Sequence, residues 1–117
     1  GFIYFFQNVT NTDEHNYTLI KETTENAMLD AFDLAEYRAT GTVKINREKF
    51  VENFIRRFAE NAQLSNTYEI NFYDIVETPP KVSLEVKSKQ GGVVSNQNVE
   101  FDITNRLDAI LEMDENK

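Results

Sequence analysis

The groups able to do acid–base, nucleophilic or metal chemistry are few and scattered. The one histidine, His15, stands beside Asp13 and Glu14 in a polar stretch. A transition-metal site needs further nitrogen or sulfur ligands at workable spacing, and the chain has no second histidine and no cysteine. Asp74, Glu77, Asp102, Asp108 and Asp114 raise the question of calcium. No stretch, however, has the alternating Asp/Asn ligands and closing glutamate of an EF-hand loop. Ser65, Ser83, Ser88 and Ser95 lie in turn or strand contexts without a glycine-flanked elbow, and a triad would have to borrow His15 from the N-terminal flank. Gly91-Gly92 lacks the spacing and the following Lys-Ser/Thr of a phosphate loop and reads as a hairpin turn. Asp74 and Glu77 would suit acid–base work only beside a substrate cleft; without one they read as solvated rim. The expectation is a non-enzymatic protein with no metal and no cofactor.

Two sequons, Asn8-Val9-Thr10 and Asn16-Tyr17-Thr18, read as coincidence in a chain with thirteen asparagines. The joint richness in Asn, Lys, Ile, Phe, Tyr and Glu points to A/T-rich coding and a low-GC bacterium, in which sequons are silent. At 117 residues and 40% hydrophobic content the chain has material for one core, which argues against disorder despite a charged fraction of 27%. A net charge of −8 opposes nucleic-acid binding, which needs a Lys/Arg surface to neutralise phosphates. The absence of cysteine leaves the compartment open.

The N-terminus is anomalous. Gly1-Phe-Ile-Tyr-Phe-Phe6 opens the sequence with five large apolar residues, and the first basic residue is Lys21. So short a run cannot cross a bilayer, which needs about 20 apolar residues. It reads as the end of a longer hydrophobic helix, with a flank poor in Lys/Arg that favours the outer side of the membrane. Residues 1–16 are therefore expected to be a membrane-proximal segment and residues 17–117 a single α+β domain. Phe2, Ile3, Tyr4, Phe5 and Phe6 are the candidate membrane- or partner-contact residues. The competing reading makes them a first β-strand or core-docking arm of a cytoplasmic interaction or regulatory module. A type IV pilin also starts with phenylalanine after a glycine, but Phe6 stands where that pattern carries glutamate.

Apolar and small residues from Ile20 through Ala27, Met28, Ala31, Phe32, Leu34 and Ala35 to Ala39 predict one long helix over 17–38, stopped by Gly41. Thr42 to Ile45 is extended. Asn46 then caps a second helix running to about Leu64, with Phe50, Val51, Phe54, Ile55, Phe58, Ala59 and Ala62 as one apolar face and a Glu52–Arg56 pair on the other. Alternation at Tyr68, Ile70 and Phe72 predicts a strand to Val76, broken by Thr78-Pro79-Pro80. Val82, Leu84 and Val86 predict the next strand, Gln90-Gly91-Gly92 a turn, and Val93-Val94 and Val99, Phe101 and Ile103 the return strand, with Ser95–Asn98 as a bulge or loop tip. Leu107, Ile110 and Leu111 predict a short C-terminal helix from Thr104 or Asn105. The fold class is α+β: a long N-terminal helix and a second amphipathic helix packed on a small antiparallel meander, with a short C-terminal helix.

An apolar start, an alanine-containing helix, Gly41-Thr-Val-Lys-Ile45 leading into a second helix, and a sheet segment Asp74-Ile-Val-Glu-Thr-Pro-Pro-Lys-Val82 together resemble pseudopilin-like proteins of tight-adherence pilus systems. The order is also similar to small single-pass proteins of low-GC Gram-positive bacteria. That resemblance implies a membrane-anchored extracytoplasmic protein, a minor component or assembly partner of a pilus or secretion apparatus. Its partners would be other proteins or further copies of itself, met through the N-terminal helix, and the bilayer, met through an upstream segment. A small hydrolase or ligand-binding domain is the remaining class, and it lacks an evident catalytic arrangement.

Overall fold

The computed structural model describes residues 1–63, 65–89 and 101–114. Seven elements follow in chain order: β1 (Phe2–Asn11), α1 (Glu14–Asp30), α2 (Leu34–Thr40), α3 (Arg47–Asn61), β2 (Thr67–Val76), β3 (Lys81–Lys89) and β4 (Ile103–Met113). The strands form one antiparallel sheet in the order β1-β4-β3-β2. Thus β2, β3 and β4 make an antiparallel meander whose third strand is the segment expected to be the C-terminal helix, and β1 is added along its far edge. The mixed helix-and-antiparallel-sheet class is as expected; the long N-terminal helix is not.

Residues 2–11 are a strand and not the end of a helix, because aromatic and β-branched side chains suit a pleated surface with different demands on its two sides. Phe2, Tyr4 and Phe6 turn toward the helices and are half-buried, while Ile3 and Phe5 turn away. The proposed division at residue 16 therefore cuts off a strand paired along its length with β4.

The single helix over 17–38 is two helices. Asp13 caps α1 through the His15 amide at 3.0 Å, one turn earlier than the apolar pattern begins. The chain breaks at Ala31–Asp33, where the Asn46 amide bonds to the Ala31 carbonyl, Phe32 bridges to Ile45, and the Asp33 amide bonds to the Lys44 carbonyl. Asp33 then caps α2 through the Glu36 amide at 2.9 Å. Gly41 ends α2 with φ +76°, a left-handed position that favours glycine.

Asn46 caps α3 as expected, and Phe50, Phe54 and Phe58 line its buried side. The apolar face is narrower than the spacing suggests, since Ile55 and Ala59 are exposed. Arg56 pairs with Glu60 at 3.3 Å and bonds to Asn53, in place of the expected Glu52 pair. The helix ends at Asn61, short of Leu64, which lies outside the described residues. Phe54 meets Phe72 edge-on at 5.4 Å and stacks on Phe58 at 6.1 Å, so α3 is keyed to β2 by aromatic rings. Arg57 reaches across to α1 and grips Asp30 at 2.6 and 3.1 Å.

The C-terminal helix is β4. Leu107, Ala109 and Leu111 alternate with Arg106, Asp108 and Ile110, and the first set is fully buried. The spacing 107/110/111 fits a helix turn as well as a strand, and pairing on both sides with β1 and β3 decides between them. Phe101 lies outside a strand, and the Gln90–Gly92 turn, Val93-Val94, the Ser95–Asn98 insert and Val99 lie outside the described residues. The core is the inner sheet face (Val82, Leu84, Val86, Leu107, Ala109, Leu111, Ile75) under α1 and α3.

Candidate interaction surface

Both long helices lie on one side of the sheet, and among the described residues no helix covers the other face. The residues on it follow from strand parity and register. One row runs Phe5–Ile110–Lys81, the next Gln7–Asp108–Ser83–Asp74, the next Arg106–Glu85–Asn71 and the last Thr104–Lys87–Glu69. Apolar groups gather at the β1 side, where Phe5 is 51% and Ile3 36% exposed, and polar groups toward β2. Phe5, Gln7, Lys81, Asp108 and Ile110 border a shallow hollow of about 260 Å³.

The polar side is a connected network. A bulge between Phe72 and Asp74 makes Tyr73 an extra residue; Tyr73 and Asp74 are both exposed, and the reset parity buries Ile75. The Tyr73 hydroxyl donates to Glu85 Oε1 at 2.9 Å, and the Arg106 guanidinium lies 4.5 Å from the Tyr73 ring centre. Lys87 Nζ stands 3.9 Å from both Glu85 and Glu69. The hydrogen bond to Glu85, and secondarily burial, holds the Tyr73 phenol above its ordinary value. Ser83 Oγ donates to Asp108 Oδ1 at 2.5 Å, which ties β3 to β4.

Of the five expected contact residues, strand parity leaves only two on this face. Ile3 and Phe5 are available to a partner, whereas Phe2 packs edge-on against Phe32 at 4.9 Å, Tyr4 stacks with Phe6, and Lys21 caps the Phe6 ring. Ile110, Tyr73 and Arg106 are additions. Ile110 was hidden by its helical spacing from Leu107 and Leu111. Tyr73 carried a signal in that it follows three alternating apolar positions on the polar side of the strand.

The polar groups considered for chemistry do not converge. Ser83 has only a carboxylate at its hydroxyl, while His15 lines a hollow of about 140 Å³ at the opposite end of the sheet with Asp13, Asn16, Gln63 and Tyr68. Glu77 accepts a hydrogen bond from the Arg47 amide at 2.9 Å at the start of α3, and Asp74 pairs with Ser83 in the sheet register. Among the described residues no three His, Cys, Asp or Glu side chains are placed to share a metal ion. Among them, too, no helix is long and apolar enough to cross a membrane.

A family model matches residues 1–115, nearly the whole sequence. The chain belongs to the DUF5411 family. Its description is a domain of unknown function. Neither the curated proteins nor the solved structures contain a significant match. The bare sheet face of this DUF5411 domain spans all four strands, so its residues are contributed by both ends of the matched region.

Proposed function

We propose that this domain is a non-enzymatic protein-interaction module that docks through the β1 side of its bare sheet face. The observation that carries this reading is the position of Ile3 and Phe5, apolar and exposed, with Phe5 directly beside Ile110 and a rim of Gln7, Lys81, Asp108 and the Glu112 that pairs with Ile3. An apolar centre with a polar rim is the usual anatomy of a docking patch. Large aromatic side chains such as Phe5 supply contact area at small entropic cost.

The proposal includes the setting. Residues 2–12 carry no charged side chain, and the Phe2–Phe32–Tyr37 ring cluster lies at the end of the sheet where Gly1 enters. Both features support a domain held at the outer side of a cell membrane. The resemblance to pseudopilin-like proteins makes a pilus or secretion apparatus the place to look for its partners.

The test is photo-crosslinking in the source cells, with a photoreactive residue at position 5 in the full-length gene product and position 56 on the solvent side of α3 as control. Protein adducts at 5 and not at 56 are expected. No adduct at 5 would sink the interaction reading. Membrane fractionation of the same cells, with protease added from outside, reads out the setting: a protected or non-sedimenting protein overturns it.

A further inference from the structure

We propose that the open edge of β1 pairs with β1 of a second copy, antiparallel about a two-fold axis at Phe5, to give a continuous eight-stranded sheet. This rests on the interaction reading above and adds to it a contact at the open edge of the strand whose outer side carries the patch.

The first observation is chemical. An edge strand is normally guarded by charge, proline or short length. β1 has ten residues, and it alone among the seven elements has no charged side chain, with no proline or glycine inside it. The opposite edge, β2, carries Glu69 and Asp74. Two copies of a chain with net charge −8 repel over most of their surfaces, and pairing β1 with β1 opposes no like charges between the strands themselves.

The second observation is backbone geometry. Gly1 and Asp114 exchange both main-chain hydrogen bonds, at 3.1 and 2.6 Å. In an antiparallel ladder such pairs alternate, so Ile3, Phe5 and Gln7 spend their N–H and C=O groups on β4. The N–H and C=O groups of Phe2, Tyr4, Phe6 and Asn8 point to the open edge, and no described residue bonds to them there.

The register follows from the bulge. Pairing with β4 is regular from Phe2 to Asn8 and shifts between Asn8 and Thr10. The middle of that regular stretch is Phe5. A two-fold axis there pairs Phe2 with the other copy's Asn8 and Tyr4 with its Phe6, which uses every outward-pointing backbone group of the stretch.

The helices above agree. Lys21 lies over the Phe6 ring at 5.2 Å, and Glu25 lies near enough to Tyr4 to raise its phenol. Because Phe6 faces the second copy's Tyr4, Lys21 of one copy comes beside Glu25 of the other, twice over. α1 packs on both β1 and β4, so with strands about 4.8 Å apart the two α1 helices lie roughly 10 Å from one another, an ordinary helix-packing distance. Their contact supplies area that strand pairing alone lacks against the roughly 1,200 Å² of a stable interface.

The chain has no cysteine, so single cysteines report the geometry. Across the axis the two Phe5 residues form a non-hydrogen-bonded pair with Cα atoms about 4.5 Å apart, inside the disulfide range. Under mild oxidation F5C should form an intermolecular disulfide at least about tenfold faster than I3C or Y73C, as proximity demands. A mixture of I3C and Q7C, which keeps Phe5, should give the mixed disulfide in preference to either homodimer. Sedimentation of the unmodified protein should show dimer. Comparable cross-linking at all positions, or a monomer with no preference for position 5, overturns the pairing. If position-5 photo-adducts in cells are then with a different protein, the interaction reading stands without the dimer; if they are absent, both fall.

Discussion

Leu107→Ala, Leu111→Ala and Ile110→Ala together test whether residues 103–113 are a strand. On a helix the three side chains would share one face and their truncations would cost similar amounts. In the structure Leu107 is 0% and Leu111 1% exposed under the helices, whereas Ile110 lies on the bare face beside Phe5. Leu107 sits directly opposite Leu84 on β3, in the middle of the sheet. Removing its three terminal carbons forfeits about 2.4 kcal/mol of transfer free energy at about 0.8 per carbon. The residual cavity, enclosed by rigid strands and α1, brings the loss to about 3–4 kcal/mol. Leu111 should cost about as much, and Ile110 about 1 kcal/mol because it is removed from water only in part. Urea unfolding followed by circular dichroism measures this, with an unchanged m-value as the check that the same surface is exposed. In a chain of this size the Leu107 loss lowers Tm by about 10 °C or more. Equal costs at 107 and 110 would refute the assignment of faces, and with it the location of Ile110 in the docking patch.

Phe54→Ala, at a fully buried ring held by Phe50, Phe58 and Phe72, should cost about 3–5 kcal/mol, while Ile55→Ala, at a side chain 48% exposed, should cost under about 1 kcal/mol in the same assay. Stability should fall as pH rises above about 10: the Tyr4 phenol is raised first by burial and then by Glu25 and Asp30, and the Tyr73 phenol first by its bond to Glu85. The unfolded chain therefore loses these protons before the folded one does, so the stabilisation is complete below the unfolded value and disappears as pH climbs through the folded one. Y4F and Y73F should each flatten the alkaline decline of the urea midpoint, and an unaltered slope in both would contradict the raised phenols.

Where an element's pattern admitted one period, its type was legible. α3 has Asn46, then phenylalanines at four-residue spacing, and β3 has strict alternation bounded by Pro79-Pro80; both stand where the residues predict. Where the pattern admitted two, tertiary pairing chose. Leu107, Ile110 and Leu111 suit a helix turn, yet as a central strand the segment satisfies two neighbours' backbones at once. The break at Ala31–Asp33 was hidden because alanines continue through it, and its cause is a remote one, the return of Lys44–Asn46 to bond with Ala31 and Asp33. The five expected contact residues carry no signal of parity. Phe2 through Phe6 is a run with no polar residue to mark a side, so only the partner strand tells which side chains point inward.

Parity also decides how the docking patch must be probed. Deleting residues 1–7 would remove Ile3 and Phe5 from the surface, but it would also remove Phe2, Tyr4 and Phe6 from beneath α1 and strip β4 of its neighbour. Loss of association after such a deletion would thus follow from damage to the fold alone. Substitution at the odd positions separates the two roles, because their side chains face solvent while their backbone groups hold β4. Substitution at the even positions does the reverse, altering packing under α1 beside the open-edge backbone. A strand with one side in the core and the other bare explains why the first six residues are so apolar without assigning all of them to a partner.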